Sequence, residues 1–167
     1  MKLILPNEKY LNDYIKANEE YKANNITYYK GFNDDPETLL EKYENYRLGK
    51  NLPQNRVPQL TFWLVDNQEL IGQIAIRTRL NEDLLLHGGH IGYGIRPKFN
   101  GKGYGTKMLA LALKEAQKIG LEKVLVTCVD ENIASARVIE KNGGKLENKI
   151  LLPSDNKVYR RYWIDIK

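Results

Sequence analysis

The chain has 167 residues, 42% apolar and 28% charged, with a net charge of +5, one cysteine and two histidines. That length suits one domain with its own core, here residues 1–167, and the balance excludes a disordered chain. No apolar run approaches the roughly 18 residues of a membrane span, and a lone cysteine excludes both an internal disulfide framework and a cysteine-based zinc site.

The start, MKLILPNEKY, breaks at Pro6 and continues with polar sequence, which does not read as a secretory signal. A cytoplasmic location is expected. Residues 3–5 predict a short first strand. From Glu8 to about Ala23, Tyr10, Leu11, Tyr14 and Ile15 recur at helical spacing, with Asn7 as the cap. Asp35-Pro36-Glu37 marks a second helix start, with Asp35 capping and Leu39, Leu40, Tyr43 and Tyr46 facing the core. Gly49 through Pro58 is a polar connector.

The period then changes. LTFWLVD and LIGQIAIRTRL, joined at DNQE, predict a hairpin. A loop covers residues 81–90, and HIGYGIRP is a third strand ended by Pro97. His87 and His90 have no recognised metal spacing, so no metal is expected. A helix is predicted from Tyr104 to Ile119, ended by Gly120. LEKVLVTCV is a continuous apolar strand in which Cys128 reads as a small core residue. A shorter helix over Ile133–Lys141 starts at the cap Asn132. LENKILL and KVYRRYWIDI close the chain as strands around PSDN. The order implies one α/β domain, a mixed central sheet flanked by helices.

The most informative stretch joins the third strand to the long helix. Gly101, Gly103 and Gly105 alternate just before and into the helix start. Glycine tolerates tight turns and lets a ligand approach the backbone, and a helix N-terminus presents unpaired amides to an anion. The segment reads as a pyrophosphate cradle with Lys98 and Lys102 at its rim, against a purely structural glycine turn. It lacks both the Gly-Lys-Ser/Thr ending of a nucleoside-triphosphate loop and the G-x-G-x-x-G of a dinucleotide fold.

On these residues the chain resembles the GNAT-type N-acetyltransferases, most clearly from Leu60 to Gly144. Asn100, Gly103 and Gly105 stand at the family's Gln/Arg-x-x-Gly-x-Gly/Ala marker, with asparagine departing from its first position. Residues 129–144 resemble the family's Asn-x-x-Ala/Ser…Lys-x-Gly-Phe segment. The resemblance implies an acyl-CoA N-acyltransferase fold. It also implies direct transfer of an acetyl group from acetyl-CoA to a primary amine of a small molecule or protein. Backbone groups near Gly94, Ile95 and Arg96 would hold the pantetheine arm, amides of Gly101, Lys102, Gly103, Tyr104, Gly105 and Thr106 the pyrophosphate, and Asn132 the arm from the far side.

The catalytic groups are less defined. An amide at the Ile95 position is the candidate oxyanion donor. The tyrosine that serves as acid in relatives is Ile139 here, so Tyr104 or Tyr93 takes that role, or the thiolate leaves unassisted. His90 stands where relatives carry an acidic residue and is the candidate base, against a structural role. The competing function is a non-catalytic acyl-CoA-binding or regulatory domain, favoured by the missing tyrosine. No nucleic-acid partner is expected: the positive residues are dispersed, and KVYRRYW reads as a half-buried edge or terminal strand with Arg160 and Arg161 partly solvated. A monomer or homodimer fits.

Overall fold

The computed structural model describes residues 1–167. Strand β1 (Lys2–Ile4) is followed by a 3-10 turn (Glu8–Tyr10) and helices α1 (Leu11–Ala23) and α2 (Leu39–Leu48). Then come β2 (Gln59–Asp66), β3 (Glu69–Arg77), the short helix α3 (Glu82–Leu86) and β4 (Ile91–Ile95). After a 3-10 turn (Pro97–Phe99) follow α4 (Tyr104–Lys118), β5 (Lys123–Val129), α5 (Ile133–Lys141), β6 (Lys145–Leu152) and β7 (Lys157–Asp165).

The seven strands form one sheet in the order β1-β2-β3-β4-β5-β7-β6. Every neighbouring pair is antiparallel except β4 and β5. The mixed sheet follows from connection length: short turns return β3 beside β2 and β7 beside β6, whereas parallel β4 and β5 need the α4 crossover. The β2–β3 turn has positive φ at both Asn67 and Gln68, the geometry that matches strand twist in two-residue hairpins.

Alternation along the strands loads both faces. Leu64, Ile74, Ile76, Ile91, Val124, Val126, Tyr162 and Ile164 share one core with Met108, Leu109 and Ala112 of α4 and Ile139 of α5. Trp63, Val65 and Leu70 share the other with Tyr14, Ala17 and Tyr21 of α1 and Leu39 and Tyr43 of α2. The sheet is therefore sandwiched, with α4 and α5 on one face and α1 and α2 on the other.

The predicted helix caps bind as expected. The Asn7 side chain accepts from the Lys9 amide, and Asn132 accepts from the Ser135 amide at 3.1 Å. Three expectations change. The region 81–90 contains α3, whose cap Asn81 accepts from the Leu84 amide; its five residues were too few to show a period. Asp35 starts a turn rather than the helix, and α2 begins at Leu39. Finally, β7 lies between β5 and β6, so β6 is the edge. Arg160 and Arg161 accordingly have side chains only 18% and 11% exposed, paired with Asp130 and Glu147.

Candidate acyl-carrier and acceptor site

Strands β4 and β5 touch at one register pair, Ile91↔Val126, whereas β3 and β4 pair continuously from Ile76↔Ile91 to Gly72↔Ile95. Beyond Ile91 the sheet opens into a V whose mouth lies at the C-terminal ends of both strands. The groups facing the V follow from antiparallel alternation. The Arg77 amide donates to His90 O at 2.7 Å, and the Arg96 amide to Ile71 O at 2.9 Å. Residues 92, 94 and 96 and the His90 carbonyl thus turn to β3, the His90 amide turns to β5, and Tyr93 and Ile95 turn their backbone polar groups to the V. Tyr21 Oη donates to Ile95 O at 2.9 Å, which leaves the Ile95 amide facing the opening.

This corrects two of the three expected arm contacts. Gly94 and Arg96 are committed to β3. Gly94 matters instead for its missing side chain: a Cβ there would stand 2.3 Å from Tyr29 Cδ1 and 2.5 Å from Tyr21 Oη. The Arg96 side chain is 1% exposed, clamped by Glu20 and by Leu70 O.

At the mouth of the V lies the glycine segment. The first bond inside this part of the chain runs from Lys107 N to Gly103 O; the amides of Gly101, Lys102, Gly103, Tyr104, Gly105 and Thr106 donate to no protein acceptor. Gly101 (φ 77°) and Gly103 (φ 79°) occupy the left-handed region, and a Cβ on either would meet nothing within 4 Å. Their requirement is backbone conformation, not space. Gly105 differs: its Cβ would sit 3.2 Å from Val138, so this glycine lets α4 approach α5. Asn142 locks the same contact by donating to Thr106 O and Val138 O, a role its sequence position did not reveal. Lys98, Lys102 and Arg96 gather around the Phe99 ring, and Lys98 also pairs with Glu69. Six free amides at a helix N-terminus, with cations beside them, suit a pyrophosphate.

His90 stands at the foot of the V. Its amide donates to Leu125 O at 2.7 Å, and its Nδ1 accepts from the Leu125 amide at 3.0 Å. The imidazole thus replaces a backbone acceptor where the two strands begin to part. Burial, and then the nearby Arg77 cation, pull its pKa down to about 4. A neutral ring accepting at Nδ1 carries its proton on Nε2 and has no lone pair left for a substrate proton. The expected base is therefore occupied. His87, in contrast, has a buried Nδ1 without a partner and packs against Tyr159.

Tyr104 also points elsewhere. Its hydroxyl donates to Asp66 at the β2–β3 hairpin, on the side of β4 away from β5. Tyr93 crosses from β4 to the first turn of α5, where its hydroxyl meets Ser135 Oγ at 2.9 Å. Burial raises its pKa, so the hydroxyl keeps its proton. Asn132 spends its Oδ1 on the cap and has Nδ2 free of protein partners. Burial pushes the Cys128 thiol up to about 11, which makes it a packing residue. Asp130 is held below the usual carboxylate range by Lys149 and Arg160.

A mixed sheet opened between two parallel strands, with a helix N-terminus of free amides at its mouth, defines the acyl-CoA N-acyltransferase class of fold. The family model described as Acetyltransferase (GNAT) domain matches residues 4–145, and the chain belongs to that family. A curated relative, the uncharacterized N-acetyltransferase YnaD of Bacillus subtilis (strain 168), is 31% identical over 106 residues; the match spans 62% of this chain and 60% of YnaD. Two solved structures share the fold. The microcin C7 self-immunity acetyltransferase MccE, in complex with acetyl-CoA and AMP, superposes with a TM-score of 0.74 at 17% identity, covering 98% of this chain and 91% of its own. A variant of the spermidine N-acetyltransferase SpeG from Vibrio cholerae gives 0.65 at 20% identity, covering 99% and 95%.

Proposed function

We propose that this protein transfers the acetyl group of acetyl-CoA directly to a primary amine. The observation that carries the reading is the run of six unpartnered amides, Gly101 to Thr106, at the mouth of the β4–β5 V. The first amides of any helix lack an intrahelical partner; here the left-handed Gly101 and Gly103 extend that run back into the loop, a concavity that suits a pyrophosphate. The names of MccE, SpeG and YnaD agree with it.

In this reading acetyl-CoA supplies a thioester, whose acyl carbon is open to attack by an amine. The Tyr93 and Ile95 amides, turned into the V, bind the arm, and Ile95 N–H is the donor for the carbonyl oxygen. Asn132 Nδ2 approaches from the β5 side. The Tyr93 hydroxyl, oriented by Ser135, is the group placed to protonate the departing sulfur. Of the two tyrosines considered for that role, Tyr93 rather than Tyr104 fills it and answers the absence of a tyrosine at Ile139, the feature that favoured a non-catalytic domain. His90 holds the foot of the V, and the amine's proton leaves through water on the open face. No helix is long and apolar enough to cross a membrane; we place the protein in the cytoplasm, as a monomer or homodimer.

Calorimetric titration with acetyl-CoA, CoA and ATP tests the site. Saturable binding of acetyl-CoA that ATP does not reproduce, weakened about 10-fold in Gly103→Ala, is expected, followed by thiol release in an amine screen. Folded protein that binds no acyl-CoA sinks the reading. Binding without turnover of any amine favours the non-catalytic alternative.

A further inference from the structure

Four arginines avoid full exposure in their guanidinium environment, and three of them have a carboxylate. Arg96 pairs with Glu20, Arg160 with Asp130 and Arg161 with Glu147. Arg77, half-buried at the end of β3, has none within ion-pair distance and instead faces the side of the V away from α4 and α5. Its strand neighbours on that face are Gln73 and Ala75, and its guanidinium lies over Gly92, where an added Cβ would stand 3.6 Å from Nη2 and 3.7 Å from Nη1.

Arg96 shows what such a side chain does when complete. Its Nη1 donates to a backbone carbonyl, Leu70 O, and its Nε and Nη2 edge grips both oxygens of Glu20. Arg77 reproduces the first half. Its Nη1 donates to Gly88 O at 3.1 Å and Gly89 O at 3.0 Å, which fixes the guanidinium plane. The Nε and Nη2 edge, the fork that matches a carboxylate, donates to no protein acceptor. Its surroundings do not supply the missing charge. Arg56, Tyr29 and Tyr46 are the groups whose fields reach it, and burial works against its cation. Asp34, on the segment whose Gly31 carbonyl accepts from Gln73, is itself engaged by Lys42 and Tyr43. A desolvated cation without a counter-charge is costly, and a ligand that supplies one is bound strongly.

We propose that Arg77 receives a carboxylate carried by the acceptor amine, so that the acceptors are amino-acid-like rather than polycationic. This rests on the transferase reading and names the substrate class of that same site. Gly92, beneath the guanidinium, is one and three residues from the V-facing amides of Tyr93 and Ile95, roughly 3–10 Å along a strand. A carboxylate gripped by Arg77 thus leaves an amine a few bonds away at the acyl carbon. Arg56 adds a second positive charge that repels polyamines.

The test compares acetyl transfer to alanine, methionine, phenylalanine, aspartate and glutamate with transfer to their carboxamides and to spermidine, measured as kcat/KM. The wild-type protein is expected to prefer the best acid over its amide by at least about 30-fold, because a site built for a charged partner strongly rejects its neutral analogue. Arg77→Gln abolishes that preference by raising KM for the acid while the amide changes by less than about 3-fold; Arg77→Lys restores part of it. The wild-type comparison holds even if Arg77→Gln folds poorly. Equal or better transfer to amides or spermidine overturns the carboxylate proposal and leaves the transferase intact, as does an equal loss for acid and amide in folded Arg77→Gln. No transfer to any amine by protein that binds acetyl-CoA overturns the transferase reading and this proposal with it.

Discussion

The two sides of the V are built from different materials. On the carrier side, residues 91–106 offer backbone: two V-facing strand amides and six loop and helix amides, positioned by two glycines of positive φ. On the acceptor side, side chains from distant segments meet. Tyr21 and Tyr29 come from α1 and the segment after it, Arg77 from β3, and His90 from the start of β4. A site of amides is local in sequence, because consecutive residues supply consecutive donors. A site of side chains is assembled by the sheet. The comparison teaches that carrier binding should tolerate side-chain changes and fail on backbone ones, and that the acceptor side should do the reverse.

The clamp that joins the two sides offers the largest effect. Glu20→Ala leaves the guanidinium of Arg96 buried with only Glu69, at 3.7 Å, as a distant partner. A cost of about 3 kcal/mol is expected, seen as a fall in Tm of roughly 6–12 °C. A shift below about 2 °C would show that α1 does not depend on β4 for its position.

Acid is the second probe, and it acts at the foot of the V. His90 titrates near 4 when folded, below its ordinary value near 6.5. The unfolded chain therefore takes up the proton first, so stability is full above about 6.5 and falls as the pH drops toward 4, by up to about 3 kcal/mol. Denaturant midpoints across that window measure the loss, and His90→Asn should flatten this part of the profile. An unchanged profile in the variant would remove His90 from the hinge.

Tyr93→Phe addresses chemistry alone. It deletes one hydroxyl facing Ser135 and is expected to lower kcat by roughly 100-fold with acetyl-CoA affinity unchanged. Tyr104→Phe, which loses only the Asp66 contact, should change kcat by less than about 3-fold. Reversal of that order would return the acid role to Tyr104.

The smallest effect separates two glycines. Gly103→Ala introduces a side chain into open space but strains a φ of 79° by about 1 kcal/mol. Acetyl-CoA affinity should weaken about 10-fold with little change in Tm. Gly105→Ala meets Val138 at 3.2 Å and should lower Tm more than affinity. If both variants behave alike, the loop is not the backbone device described here.

The glycine loop and the helix start after it are legible in the sequence because they reside in contiguous backbone. Three alternate glycines, a strand before them and a helix after them are all local features. The caps Asn7 and Asn132 were legible for the same reason, since a cap bonds two or three residues ahead. The catalytic assignments were not. Tyr104 and Tyr93 are equivalent in composition, and only the sheet order shows that Tyr104 turns toward β2 and β3 while Tyr93 reaches α5. His90 read as a base because its ring titrates near neutrality in water; the Leu125 amide, 35 residues away, takes its lone pair. Nothing local in the sequence pairs Arg96 with Glu20, 76 residues away, which occupies its fork.

By itself the sequence determined the α/β class, the elements long enough to show a period, and the glycine loop before α4, because periodicity and glycine geometry act over a few residues. Only the tertiary structure decided that β4 and β5 part after one pair, which amides face the gap, and which arginine lacks a partner. Those facts depend on register and on contacts between residues far apart in the chain, and no local pattern encodes them.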